Sequence, residues 1–163
     1  MKIIVTSRSG LETLTEHNFI KDNFAVISIT NPHTLSVNIK SSPNLWDVLR
    51  LEFDDEEKTE VKFGVPRIAI NANQGYMIAE FVKNVEKHVD LLIVQCEAGM
   101  SRSAGVAAAI SLVKNGSDEE FFNNDKYFPN MKCYRTVLES FGYSNIPEGL
   151  IDRKWVMNIK IGV

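Results

Sequence analysis

The sequence predicts an α/β fold in which helices flank a central, mostly parallel β-sheet. Residues 91–94 (Leu-Leu-Ile-Val) are continuously apolar, which is typical of a strand that is buried on both faces in a parallel sheet. An alanine-rich, small-sided segment follows from Ala104, and such a helix can pack closely against a sheet.

The first half of the chain contains three strand patterns and one helix pattern. Residues 2–6 predict the first strand, and Ser-Gly-Leu-Glu at 9–12 has the form of a capping box that opens a helix. Residues 24–29 predict the second strand and residues 48–53 the third. The largely polar segment 33–44 is expected to connect these two strands on the surface.

The second half begins with an irregular segment and continues with helix patterns around the strand at 91. Residues 58–73 are interpreted as a surface loop that could form part of the substrate rim. Apolar residues recur at helical spacing over 74–89, which predicts a crossover helix. Asn115 and Gly116 form a common helix stop, and residues 131–141 carry the apolar stripe of a last helix.

Length and composition favour one domain. The chain has 163 residues, of which 44% are hydrophobic and 24% charged, enough for a single substantial core. We therefore predict one domain over 1–163, with a compact core over 1–142 and a C-terminal extension over 143–163. Within the extension, residues 155–161 could add an edge strand or cover an apolar surface.

Charge and cysteine usage limit the compartment and the partners. A net charge of -3 and a pI near 5.6 argue against general binding to nucleic acid or to anionic membranes, since both attract positive surfaces. No apolar run approaches the roughly 20 residues of a membrane span, and no signal peptide is recognisable, so we expect a cytoplasmic protein. The two cysteines, Cys96 and Cys133, do not form a disulfide framework, and Cys133 is interpreted as a buried, inert side chain.

The stretch around Cys96 predicts a phosphate-binding loop. Cys96 ends the strand, Gly99 allows a tight curl of the loop, and Arg102 begins the helix. At a helix N-terminus several backbone N–H groups lack partners and the helix dipole is positive, so an anion can bind there. The predicted phosphate-binding residues are Glu97, Ala98, Gly99, Met100, Ser101 and Arg102.

The side chains of this loop predict covalent catalysis. A cysteine next to a helix N-terminus and a cation ionises readily, so Cys96 is expected to be a thiolate that can attack a bound phosphate. Arg102 supplies a permanently charged fork that can hold two phosphate oxygens. Ser103 could donate its hydroxyl to the Cys96 sulfur when the phosphorus–sulfur bond breaks.

This motif resembles that of a known enzyme family. Cys-Glu-Ala-Gly-Met-Ser-Arg-Ser is similar to the signature loop of the cysteine-based protein tyrosine and dual-specificity phosphatases, in which an arginine follows the cysteine after five residues. Cys96, Gly99, Arg102 and Ser103 match, as do the strand before and the helix after the loop. The resemblance implies a compact, single-domain phosphatase that needs no metal or cofactor. Gln95 departs from the family, which usually carries histidine before the cysteine.

The resemblance also implies a general acid, an aspartate on a loop that follows a strand. The acidic run 54–57 comes directly after the third predicted strand, although such a run is also typical of a solvated turn. A carboxylic acid beside the phosphate could protonate the leaving oxygen. The register of residues 48–55 places Asp55 where the resembling dual-specificity phosphatases carry this acid, so the resemblance favours Asp55, and Asp54 is the alternative.

The sequence therefore predicts a phosphatase for phosphate monoesters, above all protein phosphotyrosine and also phosphoserine or phosphothreonine. The uncharged Ala98 and Met100 on the loop suit an aromatic phosphate. Two alternatives stay open: a catalytically weak phosphate-binding module, in which Gln95 leaves the thiolate poorly tuned, and a phosphatase for a phosphoinositide or an RNA 5′ end. The expected partner is a phosphorylated protein or a small phosphate ester, without nucleic acid or membrane. The oligomeric state is left open, and a monomer is compatible with the sequence.

Overall fold

The computed structural model describes residues 1–144 and 146. The element order is β1-α1-β2-β3-β4-β5-α2-β6-α3-α4-α5. The strands are β1 (Lys2–Thr6), β2 (Phe24–Thr30), β3 (Leu45–Glu52), β4 (Glu60–Lys62), β5 (Val65–Arg67) and β6 (Leu91–Gln95). The helices are α1 (Arg8–Glu16), α2 (Ala72–Val85), α3 (Arg102–Asn115), α4 (Glu119–Phe122) and α5 (Met131–Ser140).

Four strands form a parallel sheet in the order β1-β6-β2-β3. β6 lies inside the sheet, paired with β1 on one side and with β2 on the other, and all five of its residues are buried. This arrangement confirms the predicted α/β fold with a central parallel sheet. Because the strands are parallel, their carboxyl ends meet at one edge, which is where open α/β sheets bind ligands.

The core lies on both faces of the sheet because side chains alternate along each strand. Leu92 and Val94 of β6 belong to the larger apolar cluster, which also includes residues of α2, α3 and α5. Leu91 and Ile93 point to the opposite face and join a smaller cluster with Leu11 of α1. The continuous apolar run in the sequence is thus explained by burial on both sides.

A glycine lets α5 approach α3 at the sheet edge that carries the loop. A Cβ atom at Gly105 would lie 2.3 Å from the carbonyl oxygen of Asn130, so a larger residue would push the two helices apart. The backbone N–H of Asn130 also donates to the carbonyl of Ser101 at 3.0 Å. The start of α5 is therefore fixed beside the start of α3.

The start of α1 was predicted two residues too late. The cap is Ser7, whose Oγ accepts a hydrogen bond from the backbone N–H of Gly10 at 3.1 Å, and the helix begins at Arg8. Ser7 and Ser9 both have capping chemistry, and the end of β1 at Thr6 decides between them. The stop at Gly116 is confirmed, because this residue adopts a left-handed conformation with φ 80° after α3.

The segment 58–73, interpreted as a loop, contains an antiparallel hairpin of β4 and β5. Phe63 and Gly64 form its tip with φ values of 50° and 75°. Strands of three residues are too short to produce a clear alternating pattern, which explains why the sequence did not reveal them. The hairpin lies against the acidic loop that follows β3, because Lys62 and Arg67 contact Glu56.

The predicted C-terminal extension lies almost entirely outside the described residues. This includes residues 155–161, whose predicted edge strand or cover over an apolar surface stays a prediction. The single domain over 1–163 likewise stays a prediction. In the described part of the chain, no helix combines the length and apolar character needed to cross a bilayer.

Candidate active site

The loop between β6 and α3 forms the centre of the site. Cys96 follows the last residue of β6 and is 2% exposed, and α3 begins six residues later at Arg102. Gly99 has φ 67°, in the left-handed region that glycine favours, so the chain can curl at this point. Among the described residues, no group accepts a hydrogen bond from the backbone N–H groups of 97–101. Such a row of unpaired N–H groups has the chemistry to bind an anion.

Cys96 and Ser103 face each other inside the loop. The Sγ atom of Cys96 lies 3.0 Å from the Oγ atom of Ser103, and both side chains are buried. One of the two atoms donates the hydrogen bond. The contact the sequence proposed between these residues is therefore present, and a serine hydroxyl can donate to a thiolate or to a departing sulfur.

Arg102 is buried with one end of its guanidinium group fixed. Its Nη1 donates to the Oδ1 atom of Asn31 at 2.7 Å and to the backbone carbonyl of Phe53 at 2.7 Å. Its Nε atom is buried and has no hydrogen-bond partner within the part of the chain that the structure describes. An unpaired donor on a buried cation is costly, and an anion bound at this position would satisfy it.

The two candidate acids have different surroundings. The Oδ1 atom of Asp55 accepts hydrogen bonds from the hydroxyl of Ser101 and from the side-chain amide of Asn130, each at 2.8 Å. Asp54 is 5% exposed and belongs to the hairpin instead: its Oδ2 accepts from the backbone N–H of Ile68 at 2.8 Å, and its Oδ1 lies 3.3 Å from Arg67. Asp55 thus contacts the phosphate loop, whereas Asp54 contacts β5 and the residue after it.

The next two acids fix the loop that carries Asp55. Glu56 accepts from Lys62 at 2.8 Å and from Arg67 at 3.0 Å, and these hydrogen bonds lower the pKa of its carboxyl below the usual value. Glu57 accepts from the backbone N–H of Met131, the first residue of α5, at 3.0 Å. Specific contacts therefore hold residues 54–57 in place. The other interpretation of this acidic run, a freely solvated turn, is wrong.

The second cysteine lies outside the loop. Cys133 of α5 is 1% exposed, and its backbone N–H donates to the Oδ1 atom of Asn130 at 2.9 Å. Burial raises the pKa of its thiol well above the usual value, and the negative charge of Asp55 adds to this effect. Cys133 is thus a neutral side chain of the core at neutral pH.

The architecture and the loop can be compared with known proteins. No family model matches the sequence, and no curated protein is significantly similar to it. Among solved structures, human DUSP28 matches with a TM-score of 0.54 at 15% identity, over 85% of this chain and 90% of that chain. The PTP-2 phosphatase of Cydia pomonella matches with a TM-score of 0.57 at 16% identity, over 85% of both chains. PTPMT1, solved in complex with PI(5)P, matches with a TM-score of 0.51 at 17% identity, over 86% of this chain and 90% of that chain.

The chain has the dual-specificity and tyrosine phosphatase fold. This confirms, at the level of the fold, the resemblance that the loop sequence indicated. Gln95, the residue before Cys96, is the last residue of β6 and is fully buried. Its Oε1 accepts from the hydroxyl of Ser28 at 2.6 Å, and its Nε2 is buried without a partner among the described residues. The glutamine therefore links β6 to β2 directly beneath the cysteine.

An open cleft of about 540 Å³ adjoins the phosphate loop of this phosphatase fold. Its walls come from residues 55–58 of the acidic loop, from Glu60 and Lys62 of the hairpin, and from Ser101 and 128–130. Phe128 is 56% exposed, and its backbone N–H donates to the carbonyl of Met100 at 2.9 Å. The cleft thus combines an apolar lip with a wall in which carboxylates outnumber lysines.

Sequence patterns missed two polar residues of this site. Asn31 holds Arg102, and Asn130 holds Asp55, yet each looked like an ordinary turn or helix-start residue. Asn130 does cap α5, since its Oδ1 accepts from the N–H of Cys133, so one amide side chain performs both tasks. Within the described residues, no group of three His, Cys, Asp or Glu side chains is arranged to hold a metal ion.

Proposed function

We propose that the chain is a phosphatase that hydrolyses phosphate monoesters through a phosphocysteine intermediate, with protein phosphotyrosine as its substrate. The observation that supports this most strongly is the Nε atom of Arg102, which is buried and has no partner among the described residues. It lies next to a loop whose N–H groups at 97–101 also have no acceptor within that part of the chain. A phosphate dianion would accept hydrogen bonds from both sets of donors. Charge-assisted bonds of this kind are stronger than neutral ones.

In the first step, the thiolate of Cys96 attacks phosphorus, a phosphorus–sulfur bond forms, and the bond to the leaving oxygen breaks. The guanidinium group of Arg102 and the N–H groups of 97–101 stabilise the charge on the equatorial oxygens. Asp55 transfers a proton to the leaving oxygen. Ser101 and Asn130 both donate to the Oδ1 atom of Asp55, so its Oδ2 atom is the one that carries the transferred proton.

In the second step, water attacks the phosphorus of the phosphocysteine. Asp55, now a carboxylate, accepts a proton from the attacking water, and the phosphorus–sulfur bond breaks. The hydroxyl of Ser103, 3.0 Å from Sγ, donates to the departing thiolate of Cys96 and stabilises its charge. Inorganic phosphate leaves, and the enzyme returns to its starting state.

The side chains at the cleft beside the loop favour a substrate with an aromatic leaving group. Met100 and Phe128 are exposed to 43% and 56%, and they would contact the ring of a phosphotyrosine. The lining of the cleft also includes the carboxylates of Glu56, Glu57 and Glu60 and the amines of Lys58 and Lys62. Excess negative charge disfavours ligands with several phosphate groups, which argues for a peptide over a polyphosphorylated inositol or an RNA 5′ end.

The test is hydrolysis of p-nitrophenyl phosphate and of a phosphotyrosine peptide without added metal. Wild type should hydrolyse both, and Cys96→Ser should lose turnover while it still binds the peptide. Cys133→Ser is the matched control and should retain wild-type activity, since this thiol lies in the core. Wild-type rates in Cys96→Ser would exclude the cysteine mechanism.

Two further outcomes separate the alternatives. A wild type that binds the phosphotyrosine peptide without turnover would favour a phosphate-binding module, and Gln95→His should then be made to restore the histidine of the family. PTPMT1 was solved with PI(5)P, so vesicles that contain PI(5)P form the second substrate arm. Faster hydrolysis of this lipid than of the peptide would overturn the phosphotyrosine assignment and keep the phosphatase.

A further inference from the structure

We infer that Arg8 is a positioning residue for the phosphate loop and acts through the carboxylate of Glu97. The inference rests on the proposed function, because it concerns how tightly the loop binds phosphate. Arg8 lies 89 positions from Glu97 in the chain, at the first position of α1. Nothing in the sequence pattern connects these two residues.

Arg8 contacts the first residue of the loop with its side chain and its backbone. The Nε atom of Arg8 donates to the carboxylate of Glu97 and lies 2.7 and 2.9 Å from its two oxygens. Its backbone N–H donates to the carbonyl of Glu97 at 3.2 Å. Its Nη2 donates to the carbonyl of Leu35 at 2.7 Å, on the connection that follows β2. Arg8 thus ties the loop to two other segments of the chain.

The location of Arg8 is not explained by the stability of α1. A cation at a helix N-terminus interacts unfavourably with the helix dipole, and Arg8 is the first residue of this helix. The other carboxylate near it, that of Glu12, lies 4.0 Å from Nη1, well beyond the distances to Glu97. The strongest contacts of this arginine are therefore the ones to the phosphate loop.

The turn between β1 and α1, which leads into Arg8, also contacts the loop at its centre. A Cβ atom at Gly99 would lie 2.6 Å from the backbone nitrogen of Ser7, so the loop packs directly on the turn between β1 and α1. Arg8, the next residue, fixes the start of the loop. The turn thus holds two points of the loop, Glu97 and Gly99, and the N–H groups of 97–101, which have no acceptor among the described residues, remain available for phosphate.

Arg8 also neutralises a negative charge on the loop. Glu97 directly follows the nucleophile, and an unpaired carboxylate there would repel a phosphate dianion. Its side chain is 44% exposed, so solvent weakens this repulsion without removing it. Loss of Arg8 should therefore weaken phosphate binding more than it slows the chemical step.

The experiment measures KM for p-nitrophenyl phosphate and competitive inhibition by inorganic tungstate, a phosphate analogue. Arg8→Gln should raise KM and the tungstate inhibition constant by about 3- to 10-fold, with kcat changed by less than about 2-fold. In the Glu97→Gln background the same change should have less than about a 2-fold effect, because the charge to be neutralised is gone. Melting temperatures report whether each variant folds.

Two matched controls test whether any arginine or acid nearby gives the same result. Arg50→Gln removes a donor to the carbonyl of Val37, on the same connection, and Glu12→Gln removes the other acid beside Arg8. Both should retain wild-type KM and tungstate inhibition. Wild-type values in a folded Arg8→Gln, or equal effects in both Glu97 backgrounds, would overturn the inference alone. A wild type that neither turns over substrate nor binds tungstate would overturn the proposed function, and the inference with it.

Discussion

Asp55 accepts a 2.8 Å hydrogen bond from the hydroxyl of Ser101, the last residue before α3. This contact joins the loop after β3 to the phosphate loop across 46 positions of sequence. Asp54 turns the other way, toward Arg67 and the backbone N–H of Ile68. Two adjacent carboxylates therefore have separate surroundings, and mutation can distinguish their roles.

Asp55→Asn should slow hydrolysis of the phosphotyrosine peptide by about 10²- to 10⁴-fold, because its poor leaving group needs a proton. The effect on p-nitrophenyl phosphate should be smaller, since its leaving group departs more readily without one. Asp54→Asn should lower the stability of the hairpin and change both substrates equally. The ratio of kcat values for the two substrates is the measurement. A change in that ratio for Asp54→Asn, with none for Asp55→Asn, would show that Asp54 is the general acid and that Asp55 is not.

Gly99→Ala should reduce kcat/KM by about 100-fold or more, because its Cβ atom would meet the backbone of Thr6 and Ser7 and displace the loop. Gly116→Ala is the matched control. Gly116 also has a positive φ, of 80°, but no atom lies within 4 Å of an added Cβ. The Gly116→Ala protein should lose about 1 kcal/mol of its free energy of unfolding and keep wild-type activity. Equal activities of the two variants would argue against close packing of the loop on the turn.

Iodoacetate should modify Cys96 and leave Cys133 unmodified in the folded protein at about pH 7. Both side chains are nearly buried, 2% exposed for Cys96 and 1% for Cys133, so exposure does not distinguish them. Burial raises the pKa of the Cys133 thiol well above its usual value and leaves its reactive thiolate scarce, whereas Cys96 lies in the loop that is proposed to bind anions, such as the carboxylate of iodoacetate. Mass spectrometry of digests identifies the modified residue, and urea-unfolded protein, in which both should react, is the control. Labelling of Cys133 in folded Cys96→Ser would contradict its burial.

The stability that Glu56 contributes should depend on pH in the acid range. Its pKa is lowered below about 4.5 by hydrogen bonds from Lys62 and Arg67, so the contribution is complete above the unfolded-state pKa. It is lost as the pH falls through the folded-state pKa. The difference in urea stability between wild type and Glu56→Gln should therefore shrink between about pH 7 and about pH 3.

Glu16→Gln is the control for that series, since Glu16 is exposed and forms no ion pair in the described part of the chain. Its difference from wild type should be small at every pH. A difference for Glu56→Gln that stays constant with pH would show that its contacts with Lys62 and Arg67 do not stabilise the fold.

The sequence alone was enough to predict the strands of the four-stranded sheet and the loop between β6 and α3, because both depend on local patterns. Leu92 and Val94 pack on one face of β6, and Leu91 and Ile93 pack on the other, so an unbroken apolar run was enough to predict a buried parallel strand. The loop needs a cysteine, a glycine and an arginine at fixed spacing between a strand and a helix. All of these requirements lie within a few residues of Cys96.

The tertiary structure decided which distant groups complete the site. Asn31 reaches Arg102 across 71 positions, Asn130 reaches Asp55 across 75, and Arg8 reaches Glu97 across 89. Asn31, Asp55, Arg8 and Glu97 follow the carboxyl ends of parallel strands, which meet at one edge of the sheet. Asn130 reaches the same edge because the start of α5 packs against the start of α3. A hydrogen bond between such loops depends on how the strands are ordered in space, and no local spacing in the sequence carries that information.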